Sequence, residues 1–432
     1  MAESRRSESS NIKKLLIKSN QGGKSIDVST GLVRLEFYES ILQESIAINL
    51  IFVDTGNSID GNMGVIEGLP VVGGEEVELV MSDNYDQEIS LKLYVNKFSS
   101  TTQDNMRNVV AMELVTKEFF LNEVARVVKR YDGLVSDSIT RILKDVLKTE
   151  KKLIVDATLN KYNFIGNSRK PFYVCMWLCK KSIPDLPNAK GSAAGYFLYE
   201  TTKGINFKSI DKLLSTEGKT PKKMIYNNST DIPPGYDIKI LDYSVSGATE
   251  GDSGGLDLQS KLMMGAYGSK IRTLNPYDVK YQDKDLEGSK QKKGIKTAGK
   301  DFNSNLPTWL KDKPTRQFSN ILPIGALPSG NSVDEQLKDS KKSTFDVDAA
   351  LIQAPMRYNQ LFASKVEITI AGYYRLNAGD IVSCEFPELS GKTNQIPSKR
   401  LGGIYMISDI CHLITPKNTF TKLNLVRDSY GK

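Results

Sequence analysis

The stretch EGDSGGLDL, residues 250–258, contains Gly251-Asp252-Ser253-Gly254-Gly255, the pentapeptide that surrounds the nucleophile in one class of serine proteases. A serine there attacks a carbonyl only when a histidine takes its proton and a buried carboxylate orients that histidine. The chain has one histidine, His412, and it follows Ser253, whereas the protease class that owns this pentapeptide places histidine and aspartate before the serine. Other chain orders belong to other folds, in which the pentapeptide is not diagnostic. Ser253 therefore reads as part of a polar loop whose glycines serve positive φ angles. A serine hydrolase acting through Ser253 is the distant alternative.

Three further groups of residues have spacings that suggest chemistry and then fall short of it. QGGKSID at 21–27 has the end of a phosphate-binding loop, but the pattern requires glycine where Lys18 stands and a helix where strand-like text continues. Counted from Asp54, the third, fifth and sixth positions of a calcium loop are Gly56, Ser58 and Ile59, which do not match. Cys175 and Cys179 stand four apart, and Cys411 neighbours His412, a set that four-coordinate zinc would accept in number. The text around them, YVCMWLC and MISDICHLITP, is apolar, which suits buried thiols and a core histidine better. No catalytic, cofactor-binding or metal residue is assigned, and the chain is expected not to be an enzyme.

Composition sets the frame for these residues. The 432 residues allow several cores, and 39% hydrophobic with 25% charged residues is near ordinary globular usage. No uninterrupted apolar run is long enough to span a bilayer, so no membrane anchor is expected. Four scattered cysteines fit a reducing compartment and cytoplasmic synthesis. The net charge of +7 is modest, and acidic residues read as interspersed, so charge alone does not argue for nucleic acid.

The elements that must position any site follow from the hydrophobic period. Residues 1–10 are expected to be a disordered tail. Over 11–116 the apolar residues alternate: Ile46, Ile48, Leu50 and Phe52 share one face, as do Val77, Leu79 and Met81, and Ile89, Leu91 and Leu93. Loops rich in Asn, Asp and Gly separate these runs, which predicts a barrel or sandwich of six or more strands. Over 117–234 the period becomes mixed. Ile139, Ile142, Leu143, Val146 and Leu147 recur at helical spacing behind Ser136 and Asp137 as caps, and a second helix starts at Pro171. Strand patterns return at 235–283 and again at 365–432, which predicts a second, discontinuous β domain. Between them lie a polar, lysine-rich insertion at 284–345, with Lys284, Lys290, Lys292, Lys293, Lys296 and Lys300, and a helical connection at 346–364.

Taken in order, YDGLVSDSITRILKDVL, KYNFIGNSRKPFYVCMWLCKKSIP, AAGYFLYETTKGINFKSIDKLL, MRYNQLFASKVEITIAGYYRLNAGDIVSCEFPE and GGIYMISDICHLI with TKLNLVRDSYG resemble the baseplate central hub proteins of contractile-tailed bacteriophages. The resemblance spans nearly the whole chain and contains no catalytic signature. It implies a β-rich α+β fold with two tube-like antiparallel β-barrels, the second discontinuous, around a mixed domain. It implies a homotrimeric ring in the virion, assembled in the host cytoplasm, that joins a threefold tail spike protein to a sixfold tail tube. Baseplate wedge proteins are further candidate partners, and genomic DNA would pass through the lumen without specific binding. No cofactor is implied. A spike-base hub of a phage-derived contractile injection or type VI secretion system is the alternative that shares the barrels.

Overall fold

The computed structural model describes residues 11–56, 63–83, 85–104, 107–186, 194–229, 231–246, 258–276, 279–287, 297–299, 306–310, 313–321, 332–341, 353–362, 364–388, 397–429. Ser253, the tail at 1–10, Lys290, Lys292, Lys293, Lys296, Lys300 and the start of the helical connection, 346–352, lie outside the described residues.

The first barrel comes from one stretch of chain: β1 (Asn11–Lys18), β2 (Ser25–Asp27), β3 (Leu32–Ser40), β4 (Ala47–Asp54), β5 (Glu76–Ser82), β6 (Glu88–Asp104) and β7 (Arg107–Val115). They lie in the order β3-β4-β7-β6-β5-β1-β2, all antiparallel. The alternating residues point inward as their period requires: Ile48, Leu50, Phe52, Val77, Leu79, Met81, Ile89 and Leu93 are buried in one core, with Leu91 partly buried against it. QGGK is the β1–β2 turn, with Gly22 and Gly23 at positive φ. Between β1 and β4 the gap is filled by the short turn Ser29–Gly31, where a Cβ on Gly31 would sit 2.4 Å from the Val53 carbonyl oxygen.

The mixed unit contains β8 (Arg130–Tyr131), β9 (Leu153–Val155), β10 (Phe164–Ile165), β11 (Tyr196–Thr201) and β12 (Gly204–Ser209), with helices at Lys117–Val124, Val135–Arg141, Pro171–Cys179 and Ile210–Leu214. The helix at Val135 widens into a π-helical turn over Ile142–Val146. Ile139, Ile142, Leu143 and Leu147 face Cys175, Leu178, Leu198 and Phe207 in a second core. Pro171 occupies the first turn, as its missing amide hydrogen favours. Ser136 and Asp137 do not cap. The N-cap is Leu134, and the amide of Ser136 donates to Thr158 Oγ1 at 3.0 Å.

The second barrel is a closed ring of six strands: β13 (Lys222–Tyr226), β14 (Ile238–Ser246), β18 (Ser364–Ala371), β21 (Thr419–Arg427), β20 (Gly403–Ile414) and β19 (Ile381–Glu385), the last pairing back onto β13. β13 alone runs parallel to both neighbours. Two sequence boundaries are thereby corrected. Lys222–Tyr226, placed in the mixed unit 117–234, belongs to this barrel, because its ladder partners are β14 and β19. The strand near 268, placed in the first part of the barrel at 235–283, leaves it: β15 (Gly268–Asn275) pairs with β16 (Lys280–Glu287) and β17 (Arg316–Ile321) in a separate sheet. This inserted sheet draws on chain both before and within 284–345, and helices at Leu258–Met263 and Val333–Ser340 accompany it in sequence.

β20 holds the two barrels together. Gly403–Met406 pairs with β19, the ladder shifts register at Ser408, and Asp409–Ile414 pairs with β3 of the first barrel. A bulge of this kind bends and twists a strand, and here the strand changes barrels across it.

Candidate functional site

Of the residues with apparent chemical promise, His412, Cys175, Cys179 and Asp54 are packed. His412 is buried, its Nδ1 is 2.9 Å from Thr421 Oγ1, and its ring lies on Phe37 and against the edge of Tyr374. Burial holds its pKa down at about 3 against an ordinary 6.5, so it is a neutral core histidine of the barrel junction. Cys175 and Cys179 lie in the mixed core with thiols pushed up by burial, the state of inert structural cysteines. Among the described residues no group of three or more His, Cys, Asp or Glu side chains is placed to hold a metal ion. Asp54 directs its carboxylate to the amides of Gly56 and Val65, a turn-forming role. Lys284 lies in β16 opposite Ile271.

The polar groups that do converge lie where domains meet. Glu39, one step beyond Leu35 and Phe37 on the inward face of β3, accepts from the amides of Thr202 (2.8 Å) and Ala378 (3.1 Å) and from Asn377 Nδ2 (3.3 Å). It thereby ties the first barrel to the mixed hairpin and to the loop of the second barrel. Burial raises its pKa to about 7 despite those donors. Glu200 accepts from Thr116 Oγ1 (2.8 Å) and Ile46 N (3.3 Å) and pairs with Lys151, which also reaches Glu118 at 2.7 Å. Arg357, on the helix Ala354–Leu361, is buried between Asp428 (2.9 Å) and Asp211 (3.2 Å). On the same helix Tyr358 donates to the Tyr196 carbonyl, Gln360 to that of Ala266, and Asn359 to that of Met264. One helix thus fastens the second barrel, the mixed unit and the inserted sheet together. The signal for Glu39 was present in the sequence, as an acidic residue at an inward position of an alternating strand.

Outside the barrels, β14, β18, β21, β20, β3, β4 and β7 form one unbroken sheet. Its outer face carries, strand by strand, Glu367, Lys422, Asp409, Cys411, Tyr38, Glu36, Arg34 and Asn49, and part of it is a shallow groove of about 410 Å³. Both signs alternate on this face. Tyr38 donates to Glu36 at 2.8 Å, Arg34 pairs with Glu36, and Asn424 donates to Asp409 at 3.2 Å.

No family model and no curated protein sequence matches the chain. Solved structures do match. A tail protein from Neisseria meningitidis MC58 superposes with a TM-score of 0.53 at 10% identity, over 96% of each chain. The 43 kDa tail protein of prophage MuSo2 from Shewanella oneidensis gives 0.52 at 11%, over 96% of this chain and 98% of that one. The chain has the fold of these tail proteins. That tail-protein fold agrees with the resemblance to phage hub proteins carried by the ordered sequence phrases, and it takes in both barrels, the mixed unit and the insertion. No described helix is long and apolar enough to cross a membrane.

Proposed function

We propose that this chain is a structural protein of a contractile phage tail, the homotrimeric central hub of the baseplate, placed between the threefold spike and the sixfold tail tube. The observation that carries the reading is the shared strand β20, which sets two barrels side by side in one sheet. Three copies arranged in a closed ring would then present six barrels in near-sixfold order to the tube while the ring itself keeps threefold order for the spike. The outer face of the unbroken sheet suits a channel wall. Arg34 and Lys422 stand among Glu36, Glu367 and Asp409, so a passing polyanion meets no uniformly basic track that would hold it. The inserted sheet of β15, β16 and β17 faces away from the lumen in this arrangement, toward wedge proteins or a neighbouring copy. The reading gives the chain no catalytic role, and a buried, neutral His412 does not favour a hydrolase that would use it as a base.

Mass measurement of the purified protein, alone and with the spike protein encoded beside it, tests the reading. Three copies per spike trimer are expected. A chain that stays monomeric with its spike, or a reconstructed particle in which the inserted sheet lines the channel, overturns it.

A further inference from the structure

Charge is strongly segregated between two units of the chain. Residues 11–116 hold eight Lys and Arg against fifteen Asp and Glu, a net of −7, whereas residues 117–186 hold fourteen against eight, a net of +6. The whole-chain balance conceals this difference.

The basic unit also exposes apolar surface. A groove of about 390 Å³ runs between the strand end at Phe164–Arg169 and the helix Pro171–Cys179. Tyr173 is 57% exposed on its wall beside Ile165 and Trp177, and the Arg169 guanidinium lies over the Tyr173 ring at 5.5 Å. Ile165 pairs across the ladder with Arg130, and Val128, 60% exposed, shares the same outward parity. A groove with apolar walls and a cationic rim fits an apolar side chain next to a carboxylate.

The acidic unit offers that combination in its longest connection. In the connection between β4 and β5, Met63, Glu67 and Val72 are exposed, Val72 at 70%. Within one chain the two patches stay apart: Tyr173 remains 57% exposed and Val72 70%. β4 starts at Ala47 beside the mixed unit, where Ile46 and Thr116 bond Glu200, and ends at Asp54, about 25 Å further along. The connection leaves that end, with the Val65 amide bonded to Asp54, and runs back to Gly74, whose amide donates to the Val95 carbonyl at 2.7 Å.

We infer that the groove of the mixed unit receives the Met63–Val72 connection of a second copy of this chain, Val72 and Met63 against Tyr173 and Ile165, and Glu67 against Arg169. Such a contact is heterologous, joining unlike patches, and so propagates in one direction until it closes. It rests on the threefold reading only for its closure into a ring. Opposite net charge steers the two copies together and makes assembly weaken as salt is raised.

The test uses two variants of the full chain. A groove variant carries Arg169→Glu with Tyr173→Asp, and a barrel variant carries Glu67→Arg with Val72→Asp. All four positions are exposed, and matching circular dichroism melts establish that both fold. By mass photometry each variant alone is expected to lose self-association by on the order of 100-fold. An equal mixture is expected to form pairs that grow no further, because one intact groove meets one intact connection. A chain combining Arg169→Glu with Glu67→Arg alone is expected to recover assembly. If the wild type forms trimers and both variants still do, the inference fails and the threefold reading stands. Should the variants be monomeric and their mixture also stay monomeric, the pairing of these two patches is wrong. A wild-type chain that is monomeric by itself overturns the inference, and the hub reading falls with it only if the spike fails to gather three copies.

Discussion

The two barrels reach similar architecture from opposite kinds of chain. The first is written continuously over Asn11–Val115, its own ladders all join strands of that stretch, and β3 alone among its described strands also pairs with the other barrel, through β20. The second gathers strands from Lys222–Ser246, Ser364–Glu385 and Gly403–Arg427, and its ring is complete only when β13 and β19, remote in sequence, lie parallel. A contiguous barrel is specified by alternation and turns. A discontinuous one needs fasteners from outside its own strands, and here these are the buried charges around Arg357 and Glu39, held in place by the mixed unit and the helix Ala354–Leu361. Loop closure over such separations also has a larger entropy cost, which the fasteners must offset.

The sharpest way to break this contrast is Arg357→Ala. It leaves Asp211 and Asp428 buried without their cation, at a cost of roughly 3–5 kcal/mol. Hydrogen exchange is expected to show the second barrel and the inserted sheet opening while β3 to β7 stay protected. Equal loss of protection in both barrels would mean that they fold as one unit. Next in size is Leu50→Ala in the fully buried first core, where about 3 kcal/mol should be lost in chemical denaturation, with faster exchange confined to the first barrel.

Glu39→Gln tests the fastener shared by all three units. Because its folded pKa of about 7 lies above the ordinary 4.5, the folded state binds the proton more readily, and its contribution falls as pH rises from about 4.5 through 7. His412 acts in the opposite sense. The unfolded histidine takes a proton below its ordinary 6.5 while the folded one does not until about 3, so stability from it rises with pH over that interval. Wild type should therefore have a flattened stability profile between pH 4.5 and 6.5. The Gln variant should show an uncompensated rise with pH, and an unchanged profile would remove Glu39 from the account. The smallest effect is expected from Lys18→Ala, which deletes exposed pairs with Glu76 and Glu78 on the outside of the first barrel and should leave its denaturation midpoint unmoved.

How much could be read from the letters follows the same division. Ile46 through Phe52 alternate because each faces the core on one side and solvent on the other, and that local fact predicted the first barrel. KKMIY at Lys222–Tyr226 is too short to show a period, and its assignment depends on Val382–Glu385 lying beside it, information that no local window contains. The strand at Gly268 looked like a barrel strand because a three-stranded sheet asks for the same residue types. Pro171 marked its helix start through backbone chemistry alone, whereas Ser136 and Asp137 suggested a cap that tertiary contact with Thr158 superseded. The candidate site divided likewise. The pentapeptide around Ser253 lies outside the described residues, Glu39 stood out as an acidic residue at an inward strand position while its partners across domains did not, and the opposing charges of the two units were countable from the start but averaged away in a single total.

A strand that belongs to two barrels has a mechanical meaning. Where a flexible linker would let each barrel swivel independently, β20 passes from one to the other through an unbroken covalent backbone with ladders on both sides of Ser408. A pull or twist applied to one barrel is carried along that strand as shear on hydrogen bonds acting in parallel, the loading geometry a sheet resists best, so force reaching the molecule at one end is delivered to the other with little slack.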